Sequence, residues 1–120
     1  MARYVDGFVV PVQKDRLQEY RRLARLAGKV WREHGALEYV ECVADDVNPG
    51  KATSFPRSVK LKDGEVVVFS WITYRSRTQR DRILKKAMND PRLQEMADPK
   101  NMPFSAKRMF WGGFKTIVEM

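Results

Sequence analysis

The chain has 120 residues, of which 43% are apolar and 32% charged, with one Cys and a formal net charge of +8. That length and apolar share predict one domain around one modest core and set aside disordered and multidomain readings. No apolar run is long enough to cross a membrane, the opening MARYVDGF lacks the regions of a signal peptide, and a lone Cys42 with a lone His34 makes neither a disulfide nor a zinc site, so a cytoplasmic protein is expected.

Residues 4–12 (YVDGFVVPV) are rich in β-branched and aromatic side chains and read as the first strand, after which Lys14 and Asp15 offer a helix start. From Leu17 the apolar residues fall at Tyr20, Leu23, Ala24, Ala27, Val30, Trp31 and His34, the spacing of one helix face, and Gly35 ends it. LEYVECV at 37–43 is the second strand, and the polar, turn-rich stretch 45–54 is the longest loop. Residues 58–61 read as a short strand extension, Asp63-Gly64 as a turn, and VVVFSWITY at 66–74 as the strongest strand. Between Ser76 and Asn89, the residues Ser76, Arg80, Ile83, Leu84, Ala87 and Met88 share one side of a second helix bounded by Pro91. Residues 92–106 form a Pro- and Met-containing connection with room for one helical turn, and KRMFWGGFKTIV at 107–118 closes as the fourth strand.

The order β-α-β-β-α-β predicts an α+β, ferredoxin-like fold: a four-stranded antiparallel sheet with two helices on one face. One helix layer leaves the other face open, yet the third strand is apolar in both parities, with Val66, Val68, Ile72 and Tyr74 against Val67, Phe69 and Trp71. A strand of that kind is buried on both faces. With no sequence left for a third layer, a second copy is the economical cover, which predicts a homodimer packed sheet against sheet.

The bases concentrate at 14–32 and 75–86, the two helical stretches. An excess of this size keeps nucleic acid, anionic lipid and acidic metabolites open as partners. Solvated helix faces account for the same pattern, and neither a GXXG loop nor a zinc knuckle occurs, so nucleic acid is the less favoured partner. There is also no G-x-S-x-G elbow, Walker loop, G-x-G-x-x-G turn or metal-spaced acidic cluster, so no metal and no cofactor is expected.

The segments YVDGFVVPV (4–12), GALEYVEC (35–42), TSFPRSVKL (53–61), VVVFSWITYRSRTQRDR (66–82) and MPFSAKRMFWGGF (102–114) resemble the YbaA-like family of small bacterial proteins over nearly the whole chain. That family is a domain of unknown function and is similar to the dimeric α/β barrel superfamily, in which two ferredoxin-like subunits pair their sheets. The resemblance implies the same fold and dimer as the residue pattern. The superfamily includes cofactor-independent monooxygenases, isomerases, peroxidases, haem-degrading enzymes and ligand-sensing modules, so its fold carries no single function. Haem-degrading members present a His from the second helix, and the stretch 75–89 contains none, so no haem is expected.

Ligand-binding members of the superfamily hold their pocket between helices and sheet, floored by the first and third strands, which brings Asp6, Phe8 and Trp71 forward as candidates. A carboxylate in an apolar strand must pair, accept hydrogen bonds or take a proton, so Asp6 reads either as a general base or as half of a structural ion pair. Arg80, on the inward side of the second helix, is its partner candidate; it reads as a clamp for a ligand carboxylate or as a first-turn side chain reaching to water. Phe8 and Trp71 would line the pocket, with core packing the alternative for Trp71. Arg57, following Phe55-Pro56, reads as a cap on a pocket mouth or as a solvated loop charge. His34 reads as a helix cap, Cys42 as a core thiol, and Gly112-Gly113 as room for a large neighbour such as Trp31 or Trp111. The expected function is therefore a homodimer that binds a small, partly aromatic or anionic molecule, as a binding protein or as a monooxygenase- or isomerase-like enzyme. The alternative is a basic module for RNA or the stress response.

Overall fold

Strand β1 (Tyr4–Gln13) opens the fold, and a 3-10 turn at Lys14–Arg16 leads into α1 (Leu17–Glu33). The computed structural model describes residues 3–96, 98 and 100–120. After α1 come β2 (Glu38–Val43), a one-turn α2 (Phe55–Ser58), β3 (Glu65–Tyr74), α3 (Arg77–Met88), α4 (Pro91–Met96) and β4 (Phe110–Lys115). The strands form one antiparallel sheet in the order β2-β3-β1-β4, with the longest two, β1 and β3, paired at its centre from Tyr4 with Tyr74 to Gln13 with Glu65. This is the ferredoxin-like α+β arrangement that the element order predicts, and in a single chain the sheet is open rather than closed into a barrel.

Alternation along the strands gives the sheet two unlike faces. Val10, Val12 and Val68 pack with Leu17 and Tyr20, and Ile72 and Tyr74 with Ala27, Val30, Trp31, Ile83 and Ala87, so this face carries the helices. The opposite face has a small cluster of Val9, Val59 and Val67 under the α2 segment, and beyond it Phe69, Phe110 and Phe114 stand 41%, 47% and 65% exposed. Phe114 lies over Gly7 and Gly112, whose missing side chains leave a flat bed for its ring.

Two segments depart from the sequence reading. Residues 58–61 do not extend a strand: Ser54 caps α2 by accepting from the Arg57 amide, Ser58 ends it, and Lys60 turns the chain with a positive φ of 49°. The fourth strand starts at Phe110 rather than Lys107 because Arg108 turns aside to grip Glu65 with both nitrogens, at 2.8 and 2.6 Å, while donating to the carbonyls of Val59 and Lys60. It ends at Lys115, where the Thr116 amide and hydroxyl both donate to the Arg3 carbonyl. The room left for one helical turn in the connection is filled by α4, which brings Leu93 into the core.

Candidate functional site

The helix face of the sheet carries two different polar arrangements, and they divide its carboxyl groups by role. The first is a closed chain of contacts. Trp31 Nε1 on α1 donates to the Tyr74 hydroxyl on β3 at 3.2 Å, and Arg80 Nε on α3 donates to the Asp6 carboxyl on β1 at 3.1 Å, with the Tyr74 hydroxyl beside that carboxyl. Asp6 is 1% exposed, and its burial pushes the carboxyl upward while Tyr74 and Arg80 pull it back. Arg80 is equally occupied: Nη1 reaches Asp81 at 2.8 Å, Nη2 the Tyr4 hydroxyl at 3.4 Å, and its guanidinium stacks 5.1 Å from the Tyr4 ring and 5.8 Å from the Trp111 ring. The structure thus brings Asp6 and Arg80 together and satisfies both within the protein.

Gly113 makes that contact. A Cβ there would run into the Arg80 guanidinium and the Tyr4 hydroxyl and stand 2.7 Å from Tyr4 Cε2, whereas a Cβ on Gly112 would meet Phe114 at an ordinary 3.8 Å. The neighbours that need the space are Arg80 and Tyr4, not the tryptophans expected from sequence. Gly113→Ala is expected to destabilise the fold by about 2 kcal/mol through overpacking, while Gly112→Ala stays near wild type. Urea denaturation of the two variants separates them, and equal midpoints would remove the steric explanation.

The second arrangement borders a cavity of about 410 Å³ between α1, the sheet and the residues Met88, Leu93, Met96, Phe104 and Met109. That volume suits a small organic ligand. Its floor follows the strand register from Glu41 on β2 to Ser70 opposite it on β3 and Phe8 opposite Ser70 on β1; outside the cavity lining, Phe8 lies opposite Trp111 on β4. Phe8 and Trp111 stack, with ring centroids 5.8 Å apart and planes at 20°. Ala27 and Trp31 form the roof, and Met88 and Met96 stand at the far wall.

Glu41 is the carboxyl of this cavity. It accepts from the Tyr20 hydroxyl on one oxygen and from the Tyr39 hydroxyl, at 2.8 Å, on the other. Burial pushes the Glu41 carboxyl up while the two hydroxyl donors pull it down, and both phenols are held far from ionisation by burial and by Glu41 itself. Gly28 in the middle of α1 admits the Tyr39 ring, which a Cβ would meet at 2.7 Å, and this explains a helix-weakening residue in that position. Glu41 differs from the other enclosed acids. Asp6 has Arg80, Glu65 has Arg108 and Asp90 has Arg92, but none of the ion pairs among the described residues includes Glu41.

On the outer side of Glu41 lies a trough of about 510 Å³, bordered by Tyr20, Tyr39 and the basic row Arg21, Arg25, Lys29 and Arg32 along α1. The two tyrosines and Glu41 therefore stand between a basic trough and an apolar cavity.

Of the residues expected at the site, Phe8 lies on the cavity floor, and Asp6 and Arg80 form the ion pair on the same face, outside both hollows. Trp71 lies on the opposite face, between Phe69 and Thr73, because its neighbour Ile72 points to the helices. Arg57 lies in the loop over that opposite face and donates to the carbonyls of Pro49 and Gly50, each at 3.0 Å, so it ties the loop. Cys42 is exposed on the open face rather than buried as a core thiol, since its parity opposes that of Glu41. His34 caps α1 and bonds Asp90 at 2.9 Å, joining the end of α1 to the start of α4.

A family model described as "Protein of unknown function (DUF1428)" matches residues 3–106. The chain belongs to this family. The uncharacterized protein YbaA of Escherichia coli K12 is 48% identical over 117 residues, covering 98% of each chain, and YbaA of Shigella flexneri matches equally. Among solved structures, a dimeric ferredoxin-like protein from an uncultured marine organism aligns over 100% of both chains with a TM-score of 0.63 at 7% identity. A nipsnap family protein of unknown function from Agrobacterium tumefaciens aligns over 95% of this chain and 87% of its own with a TM-score of 0.59 at 13% identity. At such identities these likenesses establish the fold of this DUF1428 member and leave its activity to the site. No helix among the described residues is long and apolar enough to cross a membrane.

Proposed function

We propose that this DUF1428 protein is a homodimer, paired through its open sheet faces, that binds one small, partly aromatic molecule per subunit in the cavity between helices and sheet. The observation that carries the reading is the cavity itself: about 410 Å³, mostly apolar, with Glu41, Tyr20, Tyr39 and Ser70 grouped on one side of it. Sites for small molecules combine apolar walls with a few placed polar groups in this way. The dimer is supported by the uncovered aromatic residues of the open face and by the dimeric state in the description of the marine ferredoxin-like protein. Phe8 keeps the ligand-lining role expected of it. The acid-base role moves from Asp6, which is paired with Arg80 and lies outside the cavity, to Glu41, which lines it without an ion-pair partner among the described residues. Trp71 and Arg57 then serve the dimer face rather than the ligand.

A second reading is favoured by the basic row along α1: a trough edged by Arg21, Arg25, Lys29 and Arg32 suits an anionic partner such as RNA. Native mass spectrometry of the purified chain tests both. The expected spectrum shows a species of twice 14.0 kDa with a reproducible small-molecule adduct. Heterogeneous nucleotide-sized adducts would favour the trough, and a monomer would overturn the dimer.

A further inference from the structure

We infer that the cavity recognises a hydroxyaromatic compound, a phenol or naphthol, whose hydroxyl group is held between Glu41 and Ser70. This rests on the cavity reading above and specifies the ligand class that the cavity takes.

The inference starts from an imbalance in the polar groups. Ser70 is 7% exposed and lines the cavity from the central strand, and its hydroxyl takes part in none of the side-chain hydrogen bonds among the described residues. No sealed side-chain polar atom among the described residues lacks a partner, so the Ser70 hydroxyl is open to the cavity it lines, where a ligand can meet it. Beside it on the next strand, Glu41 receives one phenol on each oxygen, which leaves each oxygen a further lone pair and no cation to balance its charge. An unpaired donor and an acceptor with spare capacity therefore sit one strand apart, about 5 Å, at the same end of an apolar cavity.

A ligand hydroxyl completes both. Its hydrogen donates to a Glu41 oxygen, and its own oxygen accepts from the Ser70 hydroxyl. Other polar groups fit less well. A carboxylate would face the charge of Glu41 in a low-dielectric cavity. An ammonium has no lone pair to accept from Ser70. The strand register then sets what carries the hydroxyl: the next floor position after Ser70 is Phe8, stacked on Trp111, with Ile72 beside them and Ala27 and Trp31 above. A flat ring extending one strand spacing from the hydroxyl meets those walls edge and face.

The test titrates the full chain with 2-naphthol and with 2-methoxynaphthalene, which keeps the rings and loses the donor, and follows ligand fluorescence. The expected result is one 2-naphthol per chain and binding of the methyl ether weaker by about 10-fold or more, the usual consequence of leaving enclosed polar groups unpaired. Glu41→Gln is expected to shrink that preference to about 3-fold or less, since a neutral amide oxygen is a weaker acceptor than a carboxylate. Equal affinities for the two compounds in the wild-type chain would overturn the hydroxyl anchor while leaving a ligand cavity in place. Binding of neither compound would overturn the anchor and the cavity reading together. A preference that Glu41→Gln leaves untouched would place the naphthol elsewhere, on the open sheet face, and also overturn the inference.

Discussion

Arg80→Met is expected to cost about 3 kcal/mol of stability near neutral pH, the usual scale for removing one partner of a buried ion pair, and to cost much less in acid. The reason is what remains behind. Asp6 is 1% exposed, its ion-pair partner among the described residues is Arg80, and without it the carboxylate keeps only the neighbouring Tyr74 hydroxyl among its described neighbours to compensate for lost water. Burial already pushes Asp6 above its ordinary value, and removal of the adjacent cation pushes it further. A group whose folded-state value is raised contributes stability that is present below its unfolded value and lost as pH rises through the folded one. The variant should therefore approach wild type below the ordinary Asp range and fall away from it toward neutrality. Adding Asp6→Asn should restore most of the loss at neutral pH, because the pair is then neutral on both sides. Chemical denaturation of the three proteins across that pH range is the measurement. A loss in Arg80→Met that is independent of pH, or one that the second substitution deepens, would show that Asp6 is not the charge left stranded. Either result would return Asp6 to consideration as a ligand-facing acid.

The fold was readable because its elements are locally consistent. The helix stripe from Leu17 to His34, the β-branched run of the third strand and the turn at Asp63-Gly64 each point to the element that forms, and the β-α-β-β-α-β order leaves few topologies. The dual apolar parity of β3 also corresponds to the two faces seen, one under the helices and one bare. The site was less readable, for two different reasons. The sequence reading groups Trp71 with Asp6, although the alternation that puts Ile72 and Tyr74 under the helices puts Trp71 on the other side, so that information is present and local. Glu41 was visible by the argument that singled out Asp6: an acid flanked at two-residue spacing by Tyr39 and Val43 on one face of a strand. What no local pattern contains is Tyr20, which reaches Glu41 from α1 across 21 positions of sequence. The same holds for Gly113, whose need for space appears only when Arg80 arrives from α3. Contacts between elements distant in sequence, rather than elements themselves, made the site.

Phe114→Glu is expected to convert the proposed sheet-paired dimer to a monomer and to raise its dissociation constant by about 1000-fold. Phe114 is 65% exposed in the single chain and lies over Gly7 and Gly112 on the open face, so its substitution removes little that holds one subunit together. In a two-fold pairing of sheets the same change occurs twice, once from each subunit. Burying a Phe side chain is worth about 2 kcal/mol, so two lost rings give about 4 kcal/mol and hence the stated factor. Two carboxylates brought into an apolar interface oppose pairing further. Sedimentation velocity over a concentration series reads the outcome directly, with the wild-type chain near twice 14.0 kDa and the variant near 14.0 kDa. The bared face, with Phe69, Trp71 and Phe110 still on it, should make the monomer prone to aggregation, since contiguous exposed apolar patches have that consequence. A variant that remains dimeric would move the interface off the sheet face. The double apolar parity of β3 would then need another cover, and the α2 segment, which already shields Val9 and Val67 at one end of that face, is the element of this chain positioned to supply it.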